Sequence, residues 1–299
     1  GHGAAAKIVA AAAVVALPTV LLAFFYGQSR IFFVMSRDGL LVDRAKRRKH
    51  GLPPDLRPPT LEDDSGRRRS VFSANSDWVD ADITVTTDAD QTPVAPGYTL
   101  SDEVKGHRRS VHFKPDAPIN HFFSIQSARY AVKHEQAVLA GKPVDLAVYH
   151  QPGHEYNVAR MLAAMKASLQ LFSEQFSPYQ FRQARILEFP SYADFAQSFA
   201  NTIPYSENIG FLSKLADEDK IDIVTYVTAH EIAHQWWGHQ LVPGHQQGAT
   251  MLVESFAQYS ALLVMERTYG KELMRRFLQY ELDRYLRRRG GEVVEELPY

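Results

Sequence analysis

His230-Glu231-Ile232-Ala233-His234 closes a segment, Ile223-Val224-Thr225-Tyr226-Val227-Thr228-Ala229, whose apolar residues recur with the period of a helix. On a helix, residues i and i+4 share one face. The two imidazoles therefore point the same way, and at this spacing they can hold one Zn²⁺. Glu231 stands one residue round from the first imidazole. That places it beside such an ion rather than on it, where it can take a proton from water.

A catalytic zinc keeps three protein ligands and one open position. Downstream, residues 248–259 are again helical in pattern, and Glu254 is their only carboxylate, set among apolar neighbours. A carboxylate there is costly unless it is paired or bound to metal. One Zn²⁺ per chain is thus expected on His230, His234 and Glu254, and two histidines with a glutamate form a hydrolytic set. A rival zinc pattern needs Gly three and His six residues after the second ligand. Those positions are Trp237 and Gln240, so it fails. His239 lies well off the ligand face, and it and His245 are read as loop or supporting residues. The bland alternative is a helix that carries two histidines by accident. The helical context and the placement of Glu254 weigh against it.

The chain has 299 residues, a net charge of −1 and no cysteine. This length allows two domains and a sizeable core. The charge provides no global basic field for nucleic acid. The lack of cysteine excludes disulfides and thiolate zinc ligands. Residues 8–26 form an apolar run interrupted only by Pro18 and Thr19. It is about the ~20 residues needed to cross a bilayer, so a transmembrane helix is expected, ahead of a signal peptide or a buried helix. This places the protein at a membrane, with the side of its catalytic part undetermined. Residues 29–76 lack a sustained apolar period. They carry a basic cluster at 44–49 and prolines at 53, 54, 58 and 59, and read as a partly ordered connector. The basic cluster is either a solvated face or a contact for anionic lipid.

From Trp78 the period becomes two, in runs at 78–86, 110–113, 122–125 and 144–149 separated by Gly and Pro. This predicts an antiparallel β region. Pro152-Gly153-His154 marks a boundary, and residues 156–176 read as a helix with Val158, Met161, Leu162, Met165, Leu169 and Phe172 on one face. A buried strand over 184–190 follows. Asp217-Glu218-Asp219 offer capping acids ahead of the zinc helix, and Gly270 breaks the chain before an amphipathic helix over 271–289. The expected class is α+β. It comprises an apolar segment at 1–28, the connector at 29–76, a β domain at 77–152 and a mainly helical domain at 153–299.

The run His230-Glu-Ile-Ala-His234-Gln-Trp-Trp-Gly238, followed by Glu254-Ser-Phe-Ala257, resembles the aminopeptidase N family of gluzincins. Closer still, it resembles the peptidase domain that some bacterial ABC-transporter permeases carry at their C-terminus. Supporting stretches lie at 95–97, 122–124, 128–130, 152–156, 203–208 and 246–248. The resemblance implies a β domain on a thermolysin-like catalytic domain, cleavage of N-terminal residues from peptides, a bacterial cell membrane and ABC-transporter components as partners. It implies zinc ligands at His230, His234 and Glu254, and a general base at Glu231. The family's Gly-x-Met-Glu-Asn motif, whose Glu pairs with the substrate's amine, falls on Pro204-Tyr205-Ser206-Glu207-Asn208, which assigns substrate binding to Glu207 and Asn208.

Three departures stand out. Pro204 replaces the motif's Gly. The spacing from His234 to Glu254 is one residue longer than the family's, so that Val253 takes the expected place. The family's oxyanion-stabilising Tyr follows the Glu ligand by about sixty residues, beyond Tyr299, and Tyr259, Tyr269, Tyr280 and Tyr285 lack its motif. The β domain also reads as shortened, so the chain is expected to be a fragment of a longer protein. Competing readings are a zinc endopeptidase of the same class and a non-catalytic module of a membrane transport complex.

Overall fold

The computed structural model describes residues 58–72, 76–215 and 221–289, with 48–49. The chain divides into two compact units, Gly1–Pro58 and Pro59–Tyr299. The apolar run 8–26 lies outside the described residues. Among the described residues no helix is long and apolar enough to cross a membrane.

The second unit opens with a one-turn helix, α1 (Asp64–Arg67), capped by the Asp63 carboxylate. The alternating segments then form small antiparallel sheets. β1 (Trp78–Val79) pairs with β6 (Ile119–Asn120), and β3 (Thr92–Val94) pairs with β7 (Gln126–Ala128). β2 (Ile83–Asp88), β5 (Arg108–Lys114) and β4 (Tyr98–Lys105) make a three-stranded sheet in that order. Its inward face closes on Ala95, Val111 and Phe113. The run at 122–125, read as a strand, forms none. Phe122 instead stacks on Phe72 and meets Phe199 edge-on. Its apolar residues serve ring packing rather than a ladder.

The sheet that positions the site has the order β11-β10-β9-β8. β8 (Ala131–Leu139) and β9 (Lys142–His150) form a hairpin. Its two turn residues, Ala140 and Gly141, both have positive φ, which matches the right-handed twist of the strands. β9, β10 (Gln183–Phe189) and β11 (Thr202–Ser206) run parallel. A parallel connection needs a crossover, and α2 (Val158–Gln175) supplies it, burying Met161, Leu162, Met165, Leu169 and Phe172. Strands on both sides of the boundary drawn near residue 152 therefore belong to one sheet.

α3 (Ile223–Ala233) is buried nearly all round, between α2 and α4. Its cap is Asp222, whose carboxylate accepts the Thr225 N–H and pairs with Arg160 at 2.6 Å. Asp217, Glu218 and Asp219, read as the capping acids, lie outside the described residues. A π-helical turn (Met251–Ser255) leads into α4 (Phe256–Arg289), which Gly270 breaks with φ 82 and ψ 168. The observed architecture is thus a mixed α/β one, with the β segments first and a helical region after them.

Candidate metal centre

The last turn of α3 carries His230 and Glu231, with His234 at its C-cap. The structure brings His230, His234 and Glu254 together. The two Nε2 atoms are 3.1 Å apart with the rings nearly perpendicular, and Glu254 Oε2 lies 3.4 Å from His230 Nε2 and 3.6 Å from His234 Nε2. A circle through three points with these separations has a radius of about 2.0 Å, close to the roughly 2.0–2.2 Å of Zn–N and Zn–O bonds. His234 Nδ1 bonds the Trp237 carbonyl at 3.0 Å. That fixes its tautomer and leaves the Nε2 lone pair facing the other two groups.

The electrostatics also suit a cation. Burial alone would push the His234 imidazole down, but the Glu254 carboxylate, with Glu231 behind it, pushes it up to about 9. Burial opposes the ionisation of Glu254, yet the two imidazoles hold its carboxyl well below the usual range. Glu231 is buried, and burial raises its carboxyl above the ordinary value. Its neighbours on the other side of the balance are the two imidazoles and the Ser198 amide, which donates to it. The donor set, its spacing and its charge all fit Zn²⁺.

The extra residue between His234 and Glu254 has a structural counterpart. The Phe256 N–H reaches the Met251 carbonyl, five residues back, so Glu254 sits in a π turn. Such a turn holds one more residue than an α turn. Val253 is buried in the core, and Glu254 faces the imidazoles.

Ser198 was not evident from the sequence. The segment 195–199 lies along the outer edge of β11, bridging Ala196 to Tyr205 and Phe199 to Thr202. Gln235, fully buried beside His234, holds this segment by donating to Ser198 Oγ at 2.6 Å and the Phe199 carbonyl at 2.9 Å. His239 Nε2 bonds the Ser198 carbonyl at 3.2 Å. Pro204 fits here because its carbonyl faces Gln197. Its missing N–H lies on that same outer side and costs no bond to β10.

Glu207 follows β11 and accepts the Ser191 N–H at 2.8 Å, while the Asn208 side chain donates to Asp194 at 3.0 Å. Glu207 belongs to a second group, with His154 and Glu188, whose possible ligand atoms lie within 4.8 Å of one another. The three stand at or just beyond the carboxyl ends of β11, β9 and β10, the edge where α/β sheets place ligands. The Glu188 side chain is fully buried, hydrogen-bonded to His154 and to the Gln151 N–H. Its only signal in the sequence was a carboxylate inside a buried-type strand. Of the tyrosines considered, Tyr269 bonds Asp222 and Tyr280 lies under Arg284.

This arrangement of sheet, helix and π turn shares its fold with part of solved M1 zinc metallopeptidases. Residues 160–294 match the family model described as the peptidase family M1 domain. A crystal structure of an M1 zinc metallopeptidase from Deinococcus radiodurans superposes with a TM-score of 0.54 at 19% identity, covering 75% of this chain and 48% of that one. A variant of that enzyme gives 0.54 at 18%, with the same coverage. A two-domain M1 zinc metallopeptidase variant bound to L-arginine gives 0.50 at 19%, covering 66% of this chain and 42% of that one. The chain thus spans less than half the length of these solved structures. No curated protein matches it.

Proposed function

We propose that this chain carries the catalytic centre of a zinc-dependent aminopeptidase, with His230, His234 and Glu254 holding the metal. The observation that carries the reading is the triangle of 3.1, 3.4 and 3.6 Å between their ligand atoms, with the buried Glu231 carboxylate alongside. Zinc bound there supplies Lewis acidity to a substrate carbonyl and to a water molecule. Glu231 takes the proton of the attacking water and passes it to the leaving amine. Its raised carboxyl suits both halves of that task, because a base that must return the proton works best when it is not too strong an acid. Ser198 N–H and the Gln235 clamp hold Glu231 and the edge beside it in place. Glu207 takes the free amine of the peptide, which limits cleavage to the first peptide bond. Asn208, tied to Asp194, steadies the turn that presents it.

The test is a Glu231→Gln variant assayed on an aminoacyl-anilide and on the same peptide with and without N-acetylation. Zinc content should be unchanged and turnover should fall by about 10²–10⁴. The acetylated peptide should resist the unmutated protein. Unchanged turnover in Glu231→Gln would remove the general-base role, and cleavage of the acetylated peptide would make the protein an endopeptidase.

We also propose that residues 8–26 hold the protein at a membrane, as in the permease-linked peptidases it resembles, with transporter components as partners. The run is long enough to span and carries no charge. Cells expressing the chain should retain it in the membrane pellet through a high-salt wash. Release by salt would assign the attachment to the basic cluster at 44–49 instead.

A further inference from the structure

Residues 59–72, the end of the stretch read as a connector, are docked on the loop that joins the zinc-type helix to the turn carrying Glu254. The His245 N–H bonds the carbonyls of Gly66 and Arg69 at 3.0 and 2.8 Å, the Gln247 N–H bonds Pro59 at 2.9 Å, and the Val71 N–H bonds Pro243 at 3.2 Å. Ser70 and Gly244 form an antiparallel bridge. The Gln246 side-chain amide donates to three carbonyls of the strap, those of Thr60, Leu61 and Asp63, at 3.2, 3.1 and 2.9 Å. The contact is close. A Cβ at Gly66 would stand 2.7 Å from the His245 carbonyl oxygen, so only glycine fits. At the far end of the strap, Phe72 stacks on Phe122 at 4.9 Å and on His239 at 6.2 Å.

The loop is the only covalent path between His234 and Glu254. Gln246 is its pivot, because its side chain grips the strap while its carbonyl accepts the Ala249 N–H at the entrance to the Glu254 turn. We infer that the strap is a positioning element of the metal centre. It fixes the 241–250 loop, and with it the placement of Glu254 against His230 and His234, so that strap docking and metal binding stabilise each other. This rests on the zinc reading of the site. Coupling of this kind is reciprocal: if the strap favours the bound metal, the metal favours the docked strap by the same factor.

Arg67, Arg68 and Arg69 have exposed side chains and form a ready trypsin site, but their backbone is cut only when the strap lifts. The full chain is digested with limiting trypsin in zinc and in chelator, and cutting after residues 67–69 is followed by mass spectrometry. Zinc affinity is measured in parallel by chelator competition. Zinc should slow this cut by about tenfold. Gln246→Ala should speed the cut and weaken zinc binding by roughly 10–100-fold, as loss of groups that orient metal ligands does. Far-UV circular dichroism shows whether the variant keeps its fold, and the wild-type comparison needs no variant. Equal cutting with and without zinc, in protein shown to bind zinc, would overturn the coupling alone. So would unchanged zinc affinity in a Gln246→Ala protein whose strap is cut faster. Failure of the wild-type chain to bind zinc would overturn the metal reading, and this inference with it.

Discussion

Protonating His239 should unlatch the site's outer edge, and the effect is large enough to measure. The ring is buried and stacked on Phe72, and its Nε2 bonds the Ser198 carbonyl. Among the described residues its Nδ1 has no partner. A proton on Nδ1 would place an uncompensated charge in the interior, so burial pushes the imidazole down to about 4. The unfolded chain titrates near 6.5. Between these values the unfolded state binds the extra proton, so stability rises with pH from about 4 to about 6.5 and is lost as pH falls through that window. From pH 7.5 to 4.5 the loss is about 2.5 kcal/mol from this one group. Urea unfolding in chelator at several pH values, for wild type and His239→Gln, isolates it, because all other titrations are common to both proteins. The glutamine keeps a donor for Ser198 but cannot titrate. The wild type should lose about 2.5 kcal/mol more than the variant across this range. Parallel stability curves would show that His239 is protonated in the folded state at no cost, and would refute the reasoning.

Glu254→Ala should lower zinc affinity by at least about 100-fold, since losing a supporting partner alone costs roughly 10–100-fold. Val253→Ala should leave the affinity unchanged, and chelator competition on both separates the two positions. Trp236→Ala removes a side chain that is 2% exposed, packed edge-on against Phe172 and bonded to the Ser177 carbonyl at 2.9 Å. Denaturant unfolding should show a loss of about 3–5 kcal/mol.

What could be read from the residues was what depends on short-range spacing. His230, Glu231 and His234 lie within one turn and a half of helix, so their relation follows from helical geometry. Glu254 stood out because a carboxylate in an apolar helical stretch needs a reason. What the residues concealed depends on pairing across long stretches. β8 and β9 alternate like the strands before them, and nothing in that alternation shows that they join β10 and β11 in another sheet. Ser198 and the strap reach the site through main-chain groups, which every residue has and which leave no mark in the sequence. His154 and Glu188 meet only because the ends of β9 and β10 lie side by side. The apolar alternation at 122–125 was real, but its use was ring stacking rather than a ladder.

In the turn that carries Glu254, residue counting and geometry part company. Counting along the chain places Val253 where the resemblance expects the carboxylate. A helix turns by about 100° per residue, so one extra residue in a regular helix would swing Glu254 away from the imidazoles. The chain avoids this by closing a wider ring, with the Phe256 N–H on Met251 rather than on Leu252. The wider ring closes at the start of α4, whose Ala257 and Ala261 are buried in the core. Val253 turns inward, and Glu254 meets both Nε2 atoms. The loop before the turn is held at the same time from the other side by Gln246 and the strap. The position of Glu254 is therefore set by two local devices, the wide turn and the held loop. The chemistry of the residue, a lone carboxylate with an unmet need for a partner, was a better guide to its place beside the two imidazoles than its distance along the chain.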